Sequence, residues 1–137
     1  MSTGTEQWGL LLVSCKNDPE RRVVIISRDR NPRGPWSIPG DPLESGSVSP
    51  DVQVIAKAKL QTGIKGFDHP PIFREYDYSN PPGNDHHSIA YSAEYEDGYL
   101  LGMPYMVKCV TKLEFDAMKD PFSWDHRQII TDYFNRP

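Results

Sequence analysis

The sequence predicts an α/β fold in one domain, residues 1–137: a β-sheet of mixed strand direction packed between helices as an α/β/α sandwich. Three observations predict it. Short runs rich in Val, Ile and Leu recur along the chain, each bounded by Gly, Pro, Asn or Asp. A segment near the middle carries both the start and the stop signals of a helix, and an amphipathic segment closes the chain. The resulting order is β-β-β-α-β-β-β-α. With 137 residues, one domain can bury a core without disulfide or metal staples.

Residues 8–14 (WGLLLVS) and 21–30 (RRVVIISRDR) read as two strands joined by the turn-rich KNDPE. NPRGP breaks the chain, a short extended piece at 36–38 runs into Pro39-Gly40, and 41–50 reads as a loop of Asp, Pro, Gly and Ser. The next segment is the clearest helix, over 50–62. Ser49 is placed to cap it, Pro50 suits the first helical position, Asp51 lies at the positive end of the dipole, and Gly63 ends it. Val52, Ile55 and Leu60 are its expected core contacts. Strands follow at 72–78, 88–95 and 105–111, with a loop at 79–85. A final helix spans 124–134, capped by Ser123, with Ile129, Ile130, Tyr133 and Phe134 on its apolar side.

Composition narrows the function classes. Hydrophobic residues make up 37% and charged residues 25%, which fits an ordinary globular protein of the cytoplasm. No apolar run has bilayer length, and MSTGTEQ has no basic cluster ahead of an apolar stretch, which argues against a membrane partner and a secretory signal. Cys15 and Cys109 have no neighbouring cysteine or metal-spaced histidine and read as reduced, buried thiols. Net charge is −4, with nine Lys/Arg against seven Asp/Glu through Phe67 and six against twelve beyond it. That balance argues against general nucleic-acid binding and leaves the first half compatible with a small anionic ligand.

The stretch RVVIISRDRNPRGPWSIPGDPLESGSVSPDVQVIAKAKLQTGI resembles the Nudix hydrolases. In that family a strand is followed by Trp-x-x-Pro-Gly-Gly, a loop with Glu-x-Gly-Glu, and a helix carrying Arg-Glu and Glu-Glu before a closing Gly and aliphatic residue. Trp36, Pro39, Gly40, Glu44, Gly46, Gly63 and Ile64 occupy the matching framework positions. SWDHRQIITDYF and NPPGNDHHSIAYSAEY are similar to the last helix and the pocket strand of ADP-ribose pyrophosphatase-like members. The resemblance implies the Nudix fold and a substrate cleft between the 39–46 loop and a wall running from His86 to Tyr91.

The motif fails where its chemistry lies. Family members attack a pyrophosphate with water, using divalent cations held by carboxylates on one helical face. Between Val52 and Phe67 there is no Asp or Glu. Counted back from Gly63, the family's Arg-Glu falls on Ala56-Lys57 and its Glu-Glu on Leu60-Gln61; the second loop Gly becomes Asp41 and the loop Glu becomes Ser47. The spacing is one residue longer than the pattern, which places an insertion within 46–50. Lys57 would repel magnesium, and Glu44 alone does not anchor it. His86 and His87, adjacent on a strand, point to opposite faces and do not share an ion.

Two readings from different classes follow. The first is a catalytically silent Nudix domain, with no cofactor, that binds a nucleotide-diphosphate compound or a partner. Its ligand residues would be Gly40, Glu44, Gly46, Lys57, Gln61, His86, His87 and Tyr91, with the Lys57 ammonium neutralising pyrophosphate in place of metal. A surface lysine is the ordinary reading of Lys57. The second is a divergent hydrolase of ADP-ribose-like compounds, using magnesium or manganese on displaced carboxylates: Glu44 with Glu94 or Glu96. The ordinary reading of EYEDG is a solvated hairpin end, and of Asp125 a carboxylate favoured by a helix N-terminus. A homodimer is compatible with either.

Overall fold

The computed structural model describes residues 6–15, 18–27, 34–44, 48–63, 70–79, 85–95 and 106–136. Its elements are β1 (Glu6–Cys15), β2 (Val23–Ser27), β3 (Trp36–Ser37), β4 (Gly40–Pro42), α1 (Pro50–Thr62), β5 (Ile72–Tyr78), β6 (His86–Tyr95), β7 (Met106–Val110), α2 (Lys112–Ala117) and α3 (His126–Phe134). The strands form one mixed sheet in the order β3-β2-β1-β6-β5, with β4 paired to β1 and β7 to β2. β1 and β6 run parallel over ten residues, from Glu6 opposite His86 to Cys15 opposite Tyr95, and every other pairing between these strands is antiparallel. No described helix is long and apolar enough to cross a membrane.

The two-residue period of β1 divides the core. Trp8, Leu10 and Leu12 face a cluster that contains Trp36, Ile38, Phe115 of α2 and Ile129, Ile130 and Tyr133 of α3. Leu11 and Val13 face the opposite way, onto Val54 and Ala58 of α1 and onto Tyr91. Helices therefore cover both faces, which is the sandwich that the element order predicts.

α1 spans the residues that its signals predict. Pro50 opens it, and Gly63 closes it in the left-handed region (φ 75°), with its N–H bonded to Lys59 O at 2.8 Å. Two details differ. The Ser49 hydroxyl bonds the Asp51 carboxylate (2.6 Å) instead of capping a helix N–H, and Asp51 itself accepts from Val52 N–H. The buried face is also not the expected one: Leu60 is 71% and Val52 43% exposed, while Val54, Ala58, Gln61 and Thr62 are buried and Ile55 is half-buried. The cause is the close approach of α1 to β1. A Cβ on Gly9 would lie 2.1 Å from a Val54 methyl, so the helix seats Val54 against β1, and Val52 and Leu60 turn outward with that phase.

Three further differences concern short elements. The expected loop from Asp41 begins inside β4, an edge strand held by β1. α2 was not expected, although Thr111 and Glu114 form a reciprocal capping box across its first turn (3.1 and 2.9 Å). α3 starts at His126 rather than Trp124, because Trp124 adopts positive φ (45°); Ser123 does not cap α3 but bonds Trp36 through its N–H and accepts from His126 N–H. Cys109 is half-buried rather than buried. The Cys15 side chain lies outside the described residues.

Candidate functional site

The face of α1 nearest β4 is built around two glutamines. The buried amide of Gln61 accepts from Gly40 N–H (2.8 Å) and donates to Gly40 C=O (3.1 Å). Gly40 must be glycine there: its φ is 149°, and a Cβ would sit 2.0 Å from Gly9 O. Two turns earlier, the Gln53 amide accepts from Glu44 N–H (2.8 Å) and donates to the carbonyls of Glu44 and Val48, both at 2.9 Å. The pair fastens β4 and the segment after it to α1. Between them, half-exposed Lys57 extends its ammonium to within 3.9 Å of the Asp41 carboxylate. A cavity of about 440 Å³ opens beside this pair, lined by Pro42, Leu43, Val48, Val52, Val54 and Ala56 together with Asp41, Glu44, Gln53 and Lys57.

This donor set does not fit a divalent metal. Positions 56, 57, 60 and 61 carry a methyl, an ammonium, an exposed isobutyl group and an amide whose two polar atoms both serve Gly40. Among the described residues, no three His, Cys, Asp or Glu come together as metal ligands. Glu94 does not join Glu44: it pairs with Ser14, seven residues along β1 from Gln7, whose carbonyl accepts from the N–H of Leu43 beside Glu44. At about 3.3 Å per residue the separation along the strand is ~23 Å. Glu96 and Gly46 lie outside the described residues.

The expected wall from His86 to Tyr91 divides between the two faces of the sheet, as strand alternation requires. His87 lies on the α1 face, its two ring nitrogens each 2.8 Å from a carboxylate, Asp77 and Glu75. Those hydrogen bonds, Asp77 first, raise its pKa. Tyr91 is buried beneath α1, and burial, followed by the charges of Asp51 and Glu75, pushes its hydroxyl up. Neither lines the cavity beside Lys57.

His86 occupies the opposite face, among aromatic rings that the sequence reading did not single out. Its ring lies 5.6 Å from Trp8, 4.7 Å from Trp124 and 6.0 Å from Tyr78, and Trp8 and Trp124 are themselves 4.7 Å apart. Three buried polar atoms in this group have no hydrogen-bond partner: Trp8 Nε1 and both ring nitrogens of His86. The nearest carboxylate, Glu6, is 3.6 Å from His86 Nδ1, too long for a hydrogen bond. Beside them, burial raises the pKa of the Asp125 carboxyl, with its own backbone N–H and His86 opposing. His126 is already committed, its Nδ1 accepting from Ile38 N–H at 3.0 Å. Buried donors without partners are costly unless a ligand or water meets them. The available sequence signal was Trp124-Asp125 at the head of a helix.

No family model matches the chain, and no curated protein matches it. Solved structures do. A MutT protein from Bacillus halodurans superposes with TM-score 0.73 at 17% identity, over 96% of this chain and 83% of that one. The Nudix domain of Shewanella oneidensis NrtR, solved with ADP ribose, gives 0.72 at 17% over 95% and 86%. The C-terminal domain of mouse MUTYH, solved with human PCNA, gives 0.71 at 14% over 95% and 88%. The chain has the Nudix fold.

Proposed function

We propose that this Nudix-fold chain is a binding module for a nucleotide-type ligand and does not carry out metal-dependent pyrophosphate hydrolysis from α1. The observation that carries the reading is Gln61: at a position where the resemblance places a metal-holding glutamate, its amide is consumed by the Gly40 backbone. The base end of the ligand is assigned to the Trp8–His86–Trp124 group, where the exposed Trp124 ring can stack on a heterocycle. Lys57 carries less of the reading, because a phosphate there would have to displace Asp41 and then lie beside it.

ADP-ribose is the first probe, since the NrtR Nudix domain was solved with it. Added to the protein in EDTA, it is expected to change tryptophan fluorescence saturably. Trp124→Ala should weaken binding by about tenfold, the loss of one stacking contact. In parallel, chromatography of nucleoside diphosphate derivatives incubated with magnesium or manganese should show no cleavage to a nucleoside monophosphate. Metal-dependent turnover would overturn the reading in favour of a divergent hydrolase.

A further inference from the structure

We infer that the cavity between β4 and the outer face of α1 binds a small hydrophobic ammonium compound, an apolar body with one cationic head. Its volume of about 440 Å³ lies in the range of small-molecule sites, which combine apolar walls with a few orienting polar groups. The walls are Pro42, Leu43, Val48, Val52 and Ala56. Val48 and Val52 are among the most exposed large apolar side chains of the described residues, so an apolar guest would remove them from water. Polar competition inside is small, because the Gln53 amide is fully used by Glu44 and Val48 backbone atoms.

The charges at the cavity select the sign of the head group. Asp41 and Lys57 face each other at 3.9 Å, whereas among the described residues no ion pair reaches the Glu44 carboxylate, which also lines the cavity. The Glu44 carboxylate therefore sets the sign that the cavity mouth presents to a guest. An anionic head would meet Glu44 and Asp41; a cationic head completes a pair with Glu44. The site lies on the opposite sheet face from the Trp8–His86–Trp124 group and stands independently of the nucleotide reading.

The test uses three probes of matched shape: phenylbutylamine, phenylbutanol and phenylpentanoate, titrated calorimetrically and followed by methyl shifts of Val48 and Val52. The amine should bind tightest and the carboxylate weakest. Glu44→Gln should weaken the amine by about threefold to fivefold, the scale of an exposed ion pair. Lys57→Met should strengthen it, because a like charge is removed from beside the ammonium head, and Ala56→Phe should abolish it by filling the cavity. Circular dichroism establishes that each variant is folded, and Ala56→Leu replaces Ala56→Phe if the latter is not. Carboxylate binding at least as tight as amine binding, or a Lys57→Met variant that binds the amine more weakly, overturns the inference. So does an Ala56→Phe variant that retains full affinity.

Discussion

At position 61 an amide does what a carboxylate could not: it accepts from and donates to the same buried residue, Gly40. A glutamate there would accept the N–H but set its second oxygen against the Gly40 carbonyl. Gln61→Glu and Gln61→Ala are therefore both expected to destabilise the fold by about 1–3 kcal/mol, the cost of leaving buried backbone groups unpaired. Urea unfolding midpoints check this, and a midpoint unchanged in both variants would mean that the clamp holds nothing. His87 gives a second prediction at this scale. Its pKa is raised by hydrogen bonds to Asp77 and then Glu75. The stabilisation is complete below the unfolded value of about 6.5 and is lost as pH rises through the higher folded value. The melting temperature of the native chain relative to His87→Gln should fall as pH rises above about 6.5, and a difference that stays constant with pH would contradict the geometry.

The lesson of α1 at the scale of an element is that its span and its phase have different origins. Proline, glycine and the charged first turn are local signals, and they mark residues 50 and 62 without reference to the rest of the molecule. The buried face is chosen by what α1 meets, and it meets Gly9. Leu60→Ala should accordingly cost under about 0.5 kcal/mol, as exposed substitutions do. Val54→Ala should cost about 2 kcal/mol, for two methyl groups and the cavity they leave. Equal losses in thermal unfolding would mean that the helix is rotated from the observed phase. Gly40→Ala, which drives a Cβ to 2.0 Å from Gly9 O, belongs with the severe single substitutions, at about 3–4 kcal/mol.

At the scale of the whole molecule, β1 separates the proposed nucleotide site from the α1 cavity, with Trp8 on one face and Leu11 on the other. Occupancy of the two should be independent: the ADP-ribose affinity measured with saturating phenylbutylamine should equal that measured without it, and their stabilising effects should add. A shift in either affinity would show that the sheet couples them. The sequence by itself determined the fold class, most element spans and the absence of acidic residues from α1 beyond Asp51, because strand alternation, helix end signals and side-chain charge are local properties of a chain. It also revealed that His86 and His87 face apart. Only the tertiary structure decided which face of α1 is buried, that Lys57 meets Asp41 and Gln61 meets Gly40, and that Trp8, His86 and Trp124 gather around unpartnered nitrogens. Those contacts join segments separated by between 16 and 116 residues in the sequence, and no local pattern encodes a distance that exists only once β1, β4, β6 and the two helices have packed.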